Sequence, residues 1–522
     1  MSLMSKLCQK YGYIGLLVIN AMLLYLYLFK IRAIPLGWDT QFHLNRIEEL
    51  YRSIQSGHLF SSTGTYAFSR IGLAINRFYP YLFLYLFATL QFFLKPIVAY
   101  NLGCFLLTLA SLLISYFSIK SLTNSKKTAF LFSVLYNNSG YLLLQISMRG
   151  DIAEYIALLL FPIIFVGGKK IFDPGSRQWM WLPVGMILVC YTHILSMILF
   201  ALFLGCIYVL DYKQINLLMV KRLSVSVIIT VLFCLPLLIT MLMARSKTAV
   251  IIPIVPDVLI NEAVSPSNLL YNSLNNAIPN SLLDVNLGLV AAIAGMIGIL
   301  TFKRRNRELK IMEALGLFFT FLATNLFPWF VFQNTPVHII QFPWRFLGLA
   351  TFCFSLVFAE LCSKRPNCFV YLLALIICTI SFTYMHQYIY NSQATQRISS
   401  DSYYKQVAAD AVYTDYMPIS TLKGMNHTKV FRSKLDVHKH IATVNGQQVK
   451  LPQENIISKY NTIQYKVTNL KRGKINKVVL PVLNYGKNYS THDIRTQVSA
   501  RGETEVIFVA KRSAQVIKVY VK

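Results

Sequence analysis

Acidic residues are scarce in this chain: 21 Asp and Glu stand against 50 Lys and Arg, a formal net charge of +29. Charge of either sign is thin, at 14% of 522 residues, whereas 55% are hydrophobic. A soluble chain of this length needs far more charged surface, so the excess apolar side chains must face lipid. Cysteine is missing after Cys378. An exported tail there folds without disulfides, which suits a bacterial surface better than an animal one. There is no Walker A loop, no dinucleotide glycine pattern and no His/Cys spacing for zinc, which leaves those nucleotide and metal classes without support. The basic residues are scattered through short loops and the tail. Topology setting and attraction to anionic lipid account for them without a nucleic-acid partner.

Apolar runs recur from Tyr11 to Tyr390 and then stop. That break predicts a transmembrane domain over residues 1–390 and a separate β-rich domain over 391–522, long enough to fold as one unit. The first run, 11–29, is long enough to cross a hydrocarbon core and follows Lys6 and Lys10. The residues after it, Lys30-Ile31-Arg32-Ala33, offer no small-x-small cleavage site, so it reads as an uncleaved signal anchor.

Six basic clusters lie between the apolar stretches: Lys6/Lys10, Lys120/Lys126/Lys127, Lys169/Lys170/Arg177, Lys213/Lys221/Arg222, Lys303 to Lys310, and Lys364/Arg365. If all are cytoplasmic, each intervening stretch crosses twice. About eleven spans follow: 11–29, 97–119, 128–147, 154–166, 179–190, 194–210, 223–243, 287–302, 311–330, 346–361 and 369–388. The N-terminus is then cytoplasmic, the first outer loop covers about 30–96, and the tail is extracytoplasmic. The stretch 78–94 must be a juxtamembrane or re-entrant helix, because a further span would invert every later loop. In the tail, runs such as 462–467 and 515–521 alternate or are β-branched, and Gly446, Gly473, Gly486 and Gly502 mark turns. A β-sandwich is the expected architecture.

This topology gives Asp39, His43, Arg149, Asp151, Glu154, His193, His338, Gln341 and Arg345 one address, the outer helix ends and loops. Ion-coupled carriers place ionisable groups near the bilayer midplane instead, so a site at the outer interface is favoured. A helix through 39–47 sets Asp39, His43 and Arg46 on one strip beside an apolar strip of Leu44, Ile47, Tyr51 and Ile54, and would lie along the membrane surface. Asp39 equally serves to cap a helix beginning near Thr40. Asp151 and Glu154 complement the dipole of the helix that follows them. Arg149 requires a partner: Asp151, a lipid headgroup or a substrate phosphate. Around Gln341-Phe342-Pro343-Trp344-Arg345-Phe346, Pro343 breaks a helix and Trp344 suits an interfacial anchor. Arg345 either snorkels to lipid phosphates or presents its fork to a bound phosphate. His193, between two short spans, reads more readily as a packed polar residue than as a catalyst. No metal ligand set is assigned, and a divalent cation is left open.

Taken in order, Gly37-Trp38-Asp39-Thr40-Gln41-Phe42-His43-Leu44-Asn45-Arg46-Ile47, Phe78-Tyr79-Pro80-Tyr81-Leu82, Arg149-Gly150-Asp151-Ile152-Ala153-Glu154-Tyr155, Thr192-His193-Ile194 and Gln341-Phe342-Pro343-Trp344-Arg345-Phe346 resemble the bacterial YfhO-like proteins. That group includes membrane proteins labelled 6-pyruvoyl-tetrahydropterin-synthase-related, and belongs to the GT-C superfamily of membrane glycosyltransferases. The resemblance covers most of residues 11–390. It implies a GT-C-like fold, with transfer of a sugar from a polyprenyl-phosphate donor to an envelope polymer or glycolipid. It further implies that Asp39 is the acidic residue of the first outer loop, that Glu154 is a second catalytic candidate, and that Arg149 and Arg345 are phosphate ligands. His43, Asp151, His193, His338 and Gln341 complete the expected substrate-binding set. Two other classes compete: a lipid or polymer transporter using the outer groove without chemistry, and a non-catalytic scaffold for envelope assembly.

Overall fold

The computed structural model describes residues 3–253, 258–390, 397–409, 412–422 and 435–521. In chain order its helices are α1 (Leu3–Ile31), α2 (Thr40–Gln55), α3 (Tyr85–Leu90), α4 (Pro96–Thr123), α5 (Lys126–Asn137), α6 (Gly140–Ile146), α7 (Ile152–Lys170), α8 (Trp181–Cys190), α9 (Ile194–Leu210), α10 (Leu217–Lys247), α11 (Pro266–Leu274), α12 (Gly288–Thr301), α13 (Arg307–Ala323), α14 (Leu347–Ser363), α15 (Asn367–Tyr390) and α16 (Asp401–Ala409). The strands are β1 (Ile34–Pro35), β2 (Arg397–Ile398), β3 (Ile441–Val444), β4 (Gln447–Lys450), β5 (Ile456–Lys459), β6 (Thr462–Val467), β7 (Ile475–Leu483), β8 (Arg495–Val498), β9 (Glu503–Val509) and β10 (Gln515–Tyr520).

The protein is a polytopic helical membrane protein with a C-terminal β domain. Among the described residues, seven segments are long and apolar enough to cross a bilayer: Tyr11–Ile31, Pro96–Thr123, Ile152–Lys170, Leu217–Lys247, Leu282–Arg304, Pro343–Ser363 and Asn367–Tyr390. The other four stretches of the expected eleven are shorter helices. Residues 128–147 break at Ser139, whose hydroxyl caps α6 through the Leu142 N–H, so α5 and α6 replace one straight span. α8 and α9 are 10 and 17 residues long, and α13 stops after 17 residues at Ala323. α7 is 89% buried over its apolar window, whereas α10 is 6% buried. α10, apolar yet uncovered by protein, therefore presents its side chains to lipid.

Two compact units divide the chain. The first comprises residues 1–40, 95–234 and 255–400, and the second comprises 41–94, 235–254 and 401–522. In the first, α4 packs on α5 and α7, α13 on α14, and α14 on α5. The short pair β1–β2 joins Ile34 to Ile398 and Pro35 to Arg397.

The second unit holds the β domain, but not the β domain alone. Its strands form a five-stranded antiparallel sheet, ordered β4-β3-β7-β9-β8, and a three-stranded antiparallel sheet, ordered β10-β6-β5. Val444, Val478, Leu480 and Val506 from the first sheet share one core with Ile463, Tyr465 and Val519 from the second, which makes a sandwich. Each such aliphatic side chain contributes about 1.5–3 kcal/mol on burial. A second core joins Leu483 and Tyr485, just past the middle of this domain, to Phe68, Ile71 and Phe78 of the 41–94 stretch. The Leu483 N–H bonds the Ile71 carbonyl at 2.8 Å, and Tyr460 stacks on His58 at 3.7 Å.

Three local expectations are corrected. Residues 78–94 form only a 3-10 turn at Leu82–Leu84 and the six-residue α3. α2 starts at Thr40, so Asp39 precedes the helix rather than sharing its strip with His43 and Arg46. α2 is also not a surface helix: His43, Asn45, Arg46 and Glu49 are as buried as Leu44, Ile47 and Leu50.

Candidate functional site

The first unit gathers five ionised side chains from three separate parts of the chain. The α6–α7 turn supplies Arg149, Asp151 and Glu154. The Arg149 N–H bonds back to the Leu144 carbonyl at 3.0 Å, and Gly150 takes φ +65°, a conformation that favours glycine. A side chain at Gly150 would run into the Thr40 hydroxyl. Asp151 caps α7 by accepting the Glu154 N–H at 3.0 Å.

The segment before α2 is laid along this turn. Trp38 and Asp39 donate their N–H groups to the carbonyls of Met148 and Arg149, at 2.9 and 2.7 Å. Gly37 permits the approach, because a Cβ there would collide with the Met148 and Ser147 carbonyls. The third part is the 3-10 turn Pro343–Phe346, which leads directly into α14. Pro343 lacks an N–H and sits at its first position, and the turn carries Trp344 and Arg345 inward. Trp344 is fully buried, so it is not the interfacial anchor its position suggested. Arg345 is buried too, and does not snorkel.

Arg149 is the hub. Its Nη1 lies 2.7 Å from Glu154 Oε2, its Nη2 2.8 Å from Asp151 Oδ2 and its Nε 3.5 Å from Asp39 Oδ2. Nη1 also donates to Gln145 Oε1 at 3.2 Å. Burial works against this charge, but Glu154, Asp151 and Asp39 together raise the Arg149 pKa above the ordinary guanidinium value. Arg345 reaches the same carboxylate, Nε to Glu154 Oε2 at 3.3 Å, and donates Nη1 to the Ile340 carbonyl at 2.7 Å and to Gln341 Oε1 at 3.1 Å. Its Nη2 makes no hydrogen bond among the described residues. The Trp344 ring faces both cations, with Arg149 at 4.8 Å and Arg345 at 6.0 Å from its centre.

Glu154 is saturated. Besides the two guanidiniums on Oε2, its Oε1 accepts Tyr141 Oη at 2.6 Å and Gln145 Nε2 at 3.2 Å. Asp39 differs: its side chain is 39% exposed, against 3–6% for Glu154 and Asp151. The site therefore combines an accessible carboxylate, a buried anchor and a guanidinium with one open corner.

His193 caps α9, its Nδ1 accepting the Ser196 N–H at 3.3 Å. Burial, only partly offset by Asp151 and Glu154, holds its pKa down to about 4. Ligand atoms of Asp151, Glu154 and His193 lie within 4.8 Å of one another. Those oxygens are already taken by Arg149, Arg345, Tyr141, Gln145 and the α7 cap, however, and a dication there would face two guanidiniums. The set does not fit a resident divalent cation.

Among the expected site residues, Asp39, Arg149, Asp151, Glu154, Gln341 and Arg345 thus share one hydrogen-bonded net, with His193 at its margin. His338 is half-buried on the 3-10 turn Pro336–Ile340, and its side chain makes no hydrogen bond among the described residues. His43 belongs to the second unit, packed against Phe42 and Phe83 at 5.2 and 5.8 Å. Tyr141 and Gln145 were not foreseen, although Tyr141, Gln145 and Arg149 recur at the four-residue spacing of one helix face.

No protein-family model and no curated protein matches the chain. Among solved structures, the cryo-EM structure of the arabinofuranosyltransferase AftD from Mycobacteria is similar over 75% of this chain, at 14% identity and a TM-score of 0.48. The match spans 28% of that protein's chain. It is a loose likeness of backbone path and assigns neither family nor reaction to this chain.

Proposed function

We propose that the protein is a membrane glycosyltransferase of the GT-C, YfhO-like kind, moving a sugar from a polyprenyl-phosphate donor to an envelope polymer or glycolipid on the outer face of a bacterial membrane. The observation that carries this reading is the pairing of a half-exposed carboxylate, Asp39, with Arg345, whose Nη2 makes no hydrogen bond among the described residues, through the Arg149–Glu154 hub. On the outer face no cytosolic nucleotide sugar is at hand, whereas a lipid-linked sugar diffuses laterally to an interfacial site.

Transfer needs a base for the acceptor hydroxyl and cationic N–H donors for the departing phosphate. Asp39 takes the proton of the acceptor as its oxygen attacks the anomeric carbon. Arg345 holds the phosphate oxygens as the glycosyl–oxygen bond breaks. Glu154 is a positioning residue, because its four donors leave no lone pair directed at substrate. Arg149, with all three of its nitrogens engaged, fixes Asp39, Asp151 and Glu154 relative to one another. Gln341 orients Arg345 through its side-chain oxygen, and the motif order quoted above supports the family.

The test is mass spectrometry of envelope polymers and glycolipids from cells with and without the protein. Loss of a hexose or pentose from one class identifies both reaction and acceptor. Unchanged glycans, with altered lipid or polymer distribution across the membrane, favour the transporter class.

A further inference from the structure

The two ends of the β-sandwich differ. At one end, the turn after β5 and the end of β7 are occupied: the Lys459 carbonyl accepts the Thr65 hydroxyl at 2.9 Å, and Leu483 lies in the core built with Phe68 and Ile71. The other end is formed by the loop between β6 and β7 and the loop between β9 and β10. Five cations stand there, Lys471, Arg472, Lys474, Lys511 and Arg512, all exposed. None of the five has an ion pair among the described residues.

These loops are built, not merely solvated. The Leu470 N–H bonds Ser513 at 3.0 Å, the Gly473 N–H bonds Ala510 at 2.8 Å, and the Ala510 N–H bonds Lys474 at 3.3 Å, each to a carbonyl. Fully buried Asn476 locks the first loop from beneath. Its Oδ1 accepts the Lys471 N–H at 2.8 Å, and its Nδ2 donates to the Lys471 and Lys474 carbonyls at 2.9 and 2.8 Å. Asn445 of the β3–β4 turn donates to the same Oδ1 at 2.8 Å. Two loops tied this closely hold five like charges together, an arrangement that self-repulsion disfavours unless an anion covers it.

We infer that this end of the sandwich is a docking surface for a polyanionic chain rich in phosphate. Arg472 and Arg512 offer the planar fork that phosphate oxygens accept, and the lysines add point charges along the same rim. A bilayer fits less well, since interfacial anchors rely on exposed Trp, Tyr or Phe. The two loops, residues 468–474 and 510–514, contain no aromatic residue, and Phe508 near the end of β9 is buried. Single-stranded nucleic acid fits less well for the same reason, because its bases need aromatic platforms. The flanking exposed carboxylates, Glu454 and Asp493, are two against five.

The experiment uses the full chain in zwitterionic nanodiscs and fluorescent long-chain polyphosphate as probe, with poly-glutamate, phosphatidylglycerol-rich vesicles and single-stranded DNA as competitors. Replacing the five cations by Gln should weaken polyphosphate binding at least about tenfold and flatten its salt dependence. A variant with Lys439→Gln, Lys450→Gln and Lys459→Gln, exposed cations at the occupied end, should bind as wild type. Asn476→Ala keeps every charge but frees the loop, and should weaken binding severalfold. Equal losses in the five-site and three-site variants would overturn the assignment, as would no binding, or tighter capture of vesicles or DNA than of polyphosphate. Sugar transfer is not needed for this readout, so its failure and that of the glycosyltransferase reading are separable.

Discussion

Arg345 Nε lies 3.3 Å from Glu154 Oε2, although 191 residues separate the two in the chain. Arg149 Nη1 approaches the same oxygen at 2.7 Å, so one buried carboxylate holds two guanidiniums that arrive on different elements.

Removing that shared anion while keeping its shape should be costly. Glu154→Gln leaves Arg149 and Arg345 buried with only Asp151 and Asp39 to balance them, and should lower stability by about 3 kcal/mol or more. Thermal unfolding in detergent measures it. A midpoint equal to wild type would mean that the net does not hold the α6–α7 turn to the start of α14.

Much of this site was legible as residue types, and little of it as contacts. The acidic and basic positions were marked by being charged in an otherwise apolar chain. Their convergence was not, because nothing local links residue 154 to residue 345. Trp344, beside an arginine at a span end, has the composition of an interface anchor, and only packing reveals its burial against two cations. The strip through Asp39, His43 and Arg46 failed for a local reason, since the helix begins one residue after Asp39. In the tail, strand alternation and glycine turns disclosed the sandwich. Its shared core with residues 67–78 rests on long-range packing that no periodicity records.

The second unit carries its own pH dependence. Glu49 on α2 accepts the N–H groups of Tyr66 and Ala67 at 2.7 and 2.9 Å, yet burial raises its pKa from 4.5 to about 7. The folded chain therefore keeps a proton that the unfolded chain has released between those values. The stability tied to Glu49 is fully present below pH 4.5 and is lost as pH rises through 7, about 3 kcal/mol in total. Thermal midpoints from pH 4 to 8 should fall with rising pH, and Glu49→Gln should remove that slope. A slope that persists in the variant would assign it to another group.

The six basic clusters predict an orientation with the N-terminus cytoplasmic and the tail outside. On a Cys368→Ser background, single cysteines at Ser56, Ser267 and Thr491 should react with a membrane-impermeant maleimide in intact cells, whereas those at Ser176 and Gln214 should react only after permeabilisation. Labelling of Gln214 from outside would reverse the topology and place the site on the cytoplasmic face.

Whether Asp39 and Arg345 perform sugar transfer is measured directly by the product that purified variants form in vesicles supplied with polyprenyl-phosphate sugar. Asp39→Asn keeps the size of Asp39 but not its basicity, and Arg345→Lys keeps charge but not the fork. Asp39→Asn should lose about a hundredfold or more in rate at wild-type thermal stability, and Arg345→Lys should recover only part of what Arg345→Ala loses. Wild-type rates from stably folded Asp39→Asn protein would contradict a catalytic role for Asp39.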